Sequence, residues 1–173
     1  MQTKEALLKR RSIRTFSARP LPRHLIEELV DYARLAPTAR NVQPWEFIAI
    51  AQKETLASLA ALADNGRFIA QSPCCIVVFC KDTKYYLEDG CAATENLLIA
   101  AADLGIVSCW VAGDKKPYGD KVRELLGVPQ GFKLVSMIAL GYSDALSQLG
   151  VQPKRALKEV LHWEKFSPPA ILS

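Results

Sequence analysis

The run Cys74-Cys75-Ile76-Val77-Val78-Phe79-Cys80 constrains the fold more than any other stretch of the chain. It is apolar at every position and shows no polar alternation, so it reads as a buried strand around which other elements must pack. Trp45 to Ala51, Val107 to Ala112 and Leu134 to Leu140 read as three further strands. Between them lie helical patterns. Thr3 is placed to cap a short helix through Leu7 and Leu8, and Leu25, Ile26, Leu29, Val30, Ala33 and Ala36 recur at helical spacing between Pro22 and Pro37. Leu56, Leu59, Ala60 and Leu62 mark a third helix, with Asn65-Gly66 as a turn after it. Gly90 to Leu104, stopped by Gly105, predicts a buried central helix, and Asp120 to Leu126 a short one. Strands separated by helices fit a parallel α/β sheet and a mixed α+β sheet equally, and the Gly-rich turn of a dinucleotide-binding fold is absent.

At 173 residues the chain has the length of one domain, expected to span 1–173. Lys and Arg number 22 against 18 Asp and Glu, a mild excess that suits an anionic small molecule but not a nucleic-acid stripe. The apolar stretches are too short to cross a bilayer, and the amino terminus carries no export pattern. Five cysteines without a C-x-x-C pair, beside only two histidines, argue for reduced buried thiols, a cytoplasmic setting and no metal site. The core patterns end at Tyr142, so the 143–173 tail is expected to cover a neighbouring subunit, which predicts a dimer.

Two segments carry chemistry. Arg10-Arg11-Ser12-Ile13-Arg14 crowds three guanidinium groups and a hydroxyl into five residues without a neighbouring acid. Planar forked donors with a hydroxyl suit a phosphate monoester, but a solvated helix end with cations against the macrodipole accounts for the spacing equally well. Pro37-Thr38-Ala39-Arg40-Asn41-Val42-Gln43-Pro44-Trp45 is a proline-bracketed connection that cannot be regular helix. Its amides can donate and accept, as the edge of a flavin ring requires, although a structural turn with Trp45 in the core is the commoner use of such a loop.

Together, and at this separation, the two segments resemble the FMN-dependent nitroreductase family. The resemblance continues through Ala92 to Ala101, Leu104-Gly105, Glu124 to Pro129 and Ile138 to Tyr142, and so covers nearly the whole chain. It implies an α+β fold: a three-layer sandwich with a mixed, mostly antiparallel sheet flanked by helices. It also implies a homodimer with one FMN at each end of the interface. By the same resemblance Arg10 and Ser12 hold the phosphate and ribityl end, with Arg11 beside them, and Arg14 lies near the pyrimidine edge of the ring. Pro37, Thr38, Ala39, Asn41 and Gln43 match a loop that reaches the flavin from the partner subunit. Family members often carry a hydroxyl where this chain has Ala39, which leaves only a backbone contact there. Asn65 matches a ring-binding Asn with a spacing off by about one residue. Ala112 and Gly113 match a strand end that offers backbone groups to flavin N5, and Lys154 or Arg155 matches a basic residue at the phosphate.

What the resemblance implies for activity is ping-pong reduction of an electron-poor acceptor, a nitroaromatic or quinone, by NADH or NADPH. The chemistry is flavin-borne, with no dedicated catalytic side chain and with Arg14 as the electrostatic tuner. The same fold and flavin also serve dehydrogenation, reductive dehalogenation, flavin breakdown or non-catalytic flavin binding. Larger members roof the substrate pocket with a helical insertion, which Asp82 to Tyr86 does not supply here; Tyr85, Tyr86 or the Lys115-Lys116-Pro117-Tyr118 loop is left to build it.

Overall fold

The computed structural model describes residues 3–144 and 153–166. The apolar run forms strand β2 (Cys74–Lys81), which pairs antiparallel with β1 (Trp45–Ile50) and β4 (Phe132–Gly141); β3 (Val107–Ala112) pairs antiparallel with β4. The strand order is β1-β2-β4-β3. A single parallel bridge, Ser12 to Ser108, extends the β3 edge and makes the sheet mixed but mostly antiparallel, as expected from the resemblance. Helix α4 (Tyr86–Asp103) leads from β2 to β3, which are not neighbours, because β4 inserts between them. That insertion excludes the parallel alternative.

β2 is buried on both faces because helices cover both. Cys74, Ile76, Val78 and Cys80 pack with Leu97, Leu98 and Ala101 of α4, and with Leu29 and Ala33 of α2 (Arg23–Ala33). Cys75, Val77 and Phe79 pack with Leu56 and Leu59 of α3 (Lys53–Leu62) and Val122 of α5 (Gly119–Leu125). The short helix α1 (Thr3–Lys9) lies on α4. The result is the three-layer sandwich.

Helix α4 begins one turn before Gly90, where the sequence pattern starts. Gly90 is the point of closest approach to the sheet: a Cβ there would come within 2.9 Å of the Cys80 sulfur and 2.7 Å of Val135. A glycine inside a helix costs about 1 kcal/mol, which this contact offsets. The helix ends at Gly105, whose φ of +71° terminates it as predicted. Opposite α4 the sheet register shifts between Val78 and Phe79, leaving Val135 of β4 as an extra residue. Val135 and Ser136 therefore both face α4. The Ser136 hydroxyl is 2.8 Å from that of Thr94, which also donates to the Gly90 carbonyl, so this buried polar pair is satisfied.

All five cysteines are free, and four are buried. Burial in the apolar interior pushes the Cys80 thiol up to about 12, and the others shift the same way chiefly for the same reason. No helix among the described residues is long and apolar enough to cross a membrane. The tail expected to pack on a neighbour lies partly outside the described residues. Its described part carries the four-residue helix α6 (Leu157–Val160) and leaves Trp163 and Phe166 80% and 76% exposed.

Candidate functional site

The basic turn follows α1 and runs along the β3 edge. Ile13 is buried, and its N–H donates to the Ser108 carbonyl at 2.9 Å. Burying Ile13 turns Ser12 and Arg14 outward, because successive side chains of an extended segment alternate. Arg11 folds back, donating to the Leu8 carbonyl at 2.7 Å and the Arg10 carbonyl at 2.8 Å, and so caps the end of α1. The Arg10 guanidinium reaches Glu95 of α4 only at 3.9 Å. Lys9, Arg10, Arg11 and Ser108 line a cavity of about 190 Å³ beside the start of β3. Lys9 is paired with Glu5 at 2.5 Å, so two carboxylates, Glu5 and Glu95, stand beside the three cations of this recess.

Arg14 is exposed, with its guanidinium carbon 5.7 Å from the centre of the Phe68 ring. Phe68 belongs to the 3-10 turn Arg67–Gln71, which follows Asn65 and Gly66. Gly66 packs toward Val111 of β3, so Asn65 lies beside the same edge as the basic turn. At the far end of β3 the backbone alternates: Ser108 bonds outward to Ile13, whereas the Gly113 N–H points inward to the Val135 carbonyl at 2.9 Å. Of the Ala112-Gly113 pair it is therefore Ala112 whose backbone faces the open edge, and its carbonyl accepts from the Tyr118 hydroxyl.

The Pro37 to Pro44 loop sits at the opposite edge, leading into β1. Four interstrand steps, about 19 Å across the sheet, separate it from Ser12, and the register places the two six residues apart along β2 as well, at the Cys80 and Cys74 ends. The loop contains the 3-10 turn Ala39–Asn41 and three non-glycine residues in the left-handed region, Arg40, Asn41 and Gln43, at φ of 55°, 55° and 50°. For Arg40 and Gln43 this costs about 1 to 2 kcal/mol, while an asparagine adopts it more readily. Thr38 closes the loop on itself, its hydroxyl accepting from the Gln43 N–H at 3.1 Å, and Asn41 accepts from the Gln43 side-chain amide at 3.1 Å. The Ala39 N–H donates to Asp89 of α4 at 3.1 Å. Pro37, Asn41 and Gln43 are exposed.

One chain thus gathers Arg10, Arg11, Ser12, Arg14, Asn65, Ala112 and Gly113 along the β3 edge, but not the Pro37 to Gln43 loop. Lys154 and Arg155 are exposed in the tail, and Arg155 donates to the Glu159 carbonyl at 2.7 Å within its own segment.

Sequence reasoning missed Phe68, Asp89 and Asp114. Nothing in the apolar stretch after Gly66 marks Phe68 as the seat of Arg14. Asp89 carries a legible signal, an acid in the first turn of a helix, but its partner Ala39, fifty residues earlier in the chain, is not legible. Of the residues left to roof a pocket, Tyr86 and Tyr118 are bound structurally. The Tyr86 hydroxyl donates to Asp114, and that bond, ahead of burial, pushes it up to about 12. Tyr85 stays exposed, beside the Pro37 to Pro44 loop.

Comparison with known proteins matches the model of the Nitroreductase family at residues 7–74 and 65–142. A protein of Archaeoglobus fulgidus, provisionally named NADH dehydrogenase/NAD(P)H nitroreductase, is 35% identical over 91% of this chain and 94% of its own. The FMN reductase (NADPH) of Bacillus subtilis is 28% identical over 95% and 74%. The solved FMN-dependent nitroreductase of Clostridium difficile R20291 superposes with a TM-score of 0.80 at 28% identity, over 94% of this chain and 99% of that one.

Proposed function

The chain belongs to the nitroreductase family, and from that membership we propose that it is a homodimeric FMN-dependent oxidoreductase in which NADH or NADPH reduces an electron-poor acceptor, a nitroaromatic or a quinone. The observation that carries this reading is the alignment of Arg10, Ser12 and Arg14 along the β3 edge, with the amide-bearing loop at the other edge and the opposite end of the strands, more than about 19 Å away. Neither half makes a flavin site alone. A second copy that brings its loop to the first copy's basic turn completes both sites at once, as two-fold symmetry requires. The exposed apolar residues of the tail (Leu157, Val160, Trp163, Phe166) and of α1 (Leu7, Leu8) support such an association, with the tail covering the partner.

The donor set fits FMN. Arg10 and Ser12 present a forked cation and a hydroxyl beside the 190 Å³ recess, which suits a phosphate monoester, with Lys154 or Arg155 as a further cation. Arg11, committed to capping α1, contributes charge and not a bond. Arg14, held over Phe68, places a positive charge where the ring's pyrimidine edge would gather negative charge on reduction. Asn65 and the Ala112 N–H supply ring-edge contacts, and Gly113 fixes the strand end by its bond to β4. Thr38, the Ala39 backbone, Asn41 and Gln43 of the partner's loop close the site. FMN, when bound, supplies the hydride and electron chemistry by which the pyridine nucleotide and the acceptor react in turn at one pocket. The protein's part is to hold, orient and exclude water. Five free thiols fit a reducing, cytoplasmic setting.

The test is spectroscopic. The purified protein is expected to show a flavin spectrum, to bleach with NADH or NADPH under anaerobic conditions, and to recover its colour with a nitroaromatic or quinone. A colourless protein that FMN does not reconstitute would refute the reading.

A further inference from the structure

Resting on that reading, we propose that Asp89 is the positioning residue of the flavin-facing loop. The residue is 5% exposed and lies in the first turn of α4, and its carboxylate accepts from the Ala39 N–H at 3.1 Å across fifty residues of sequence. Among the described residues, every other hydrogen bond of the 37–43 segment is made within it: Asn41 N–H to Thr38, Val42 N–H to Ala39, and Gln43 to Thr38 and Asn41. Three left-handed non-glycine residues strain this segment, and a strained conformation persists only where its surroundings over-determine it. Packing does not over-determine it. A cavity of about 170 Å³, lined by Ala39, Arg40, Val42, Thr83, Lys84, Tyr85 and Asp89, lies against the loop and gives it room to relax inward.

The same helix carries Glu95 toward Arg10, six residues and about 9 Å further along its axis. Asp89 therefore ties the loop to the element that also lies beside the basic turn. Because it reaches the flavin only through the Ala39 backbone, Asp89 acts on the geometry of the loop and not on the reaction.

The experiment measures FMN affinity by fluorescence titration and the melting temperature of the flavin-free protein for three substitutions. Asp89→Leu removes the acceptor and is expected to weaken FMN binding at least tenfold, with a shifted flavin absorption band. Asp89→Asn keeps an oxygen acceptor at the same place and should stay within about threefold of wild type. Ala39→Pro removes the donor from the other end; Thr38 at ψ 152° accepts a following proline, and Ala39 is the first residue of its turn. It should reproduce the Asp89→Leu loss, and the double variant should add less than about twofold to the larger single effect. The melting temperature should move far less than the affinity. Unchanged FMN binding in either disruptive variant, equal loss in Asp89→Asn and Asp89→Leu, or fully additive effects would overturn the proposal. Wild-type protein that binds no FMN would bring down the functional reading and this one together, before any variant is made.

Discussion

The basic turn is held by backbone and the proline-bracketed loop by a side chain. In the turn, Ser12 bridges to β3, Ile13 is buried and bonded to Ser108, and Arg11 seals α1, with no residue in the left-handed region. In the loop, three residues are left-handed, and its hydrogen bonds to the body among the described residues are Ala39 N–H to Asp89 and, at its end, Lys81 N–H to the Pro44 carbonyl at 2.8 Å. The cation-bearing segment is thus pre-organised by the sheet, while the loop proposed to cross to the partner is anchored to β2 only at its Pro44 end and is held within its strained stretch by one carboxylate. Charge recognition tolerates little displacement of its donors, and a loop that must meet a second subunit binds better when its shape is set before they meet.

Mixed dimers give the largest expected effect. A chain carrying Arg10→Ala, paired with a chain whose 38–43 segment is replaced by Gly/Ser of equal length, should keep about half the FMN capacity, because one site retains both intact halves. Both changes on one chain, paired with wild type, should leave almost none. The reverse pattern, almost none in the first arrangement and about half in the second, would mean that each site is built from one chain, and the comparison would fail. The Arg10→Ala homodimer should bind FMN about 10- to 100-fold more weakly, the value of one lost charge-assisted hydrogen bond of about 1.5 to 3 kcal/mol, while riboflavin binding, which lacks the phosphate, should change little. Arg14→Ala should lower the midpoint potential of bound flavin by about 30 mV, the two-electron equivalent of about 1.4 kcal/mol, and Phe68→Leu should shift it less in the same direction. An unchanged potential in Arg14→Ala would remove Arg14 from the ring.

The smallest effect concerns the strut at the far end of β3. Tyr86→Phe deletes the bond to Asp114 and should cost about 1 kcal/mol in chemical denaturation. The folded protein holds this hydroxyl above its ordinary 10, so the stabilisation is fully present below pH 10 and is lost as pH rises through the folded value of about 12. The gap between wild type and variant should therefore begin to narrow above pH 10.

Much of the frame is legible in the sequence because it rests on local pattern. The unbroken apolar run of β2, the helical spacing of Leu25 to Ala33, the stop at Gly105 and the exclusion of regular α-helix between Pro37 and Pro44 each follow from properties of neighbouring residues. The two chemical segments are legible for the same reason, since a crowd of guanidiniums and a bracketed polar loop announce themselves by composition. Their partners do not. The choice between parallel and antiparallel pairing depended on β4 inserting between β2 and β3, a long-range pairing that strand patterns do not encode. The Ala39 to Asp89 bond, the seat of Arg14 on Phe68 and the inward turn of the Gly113 N–H join residues 50, 54 and 22 positions apart. Those contacts exist only once the sheet and α4 bring distant backbone within hydrogen-bonding or van der Waals range, and so it was the tertiary structure, through contact forces that act over a few ångströms, that placed the basic turn and the bracketed loop at opposite edges.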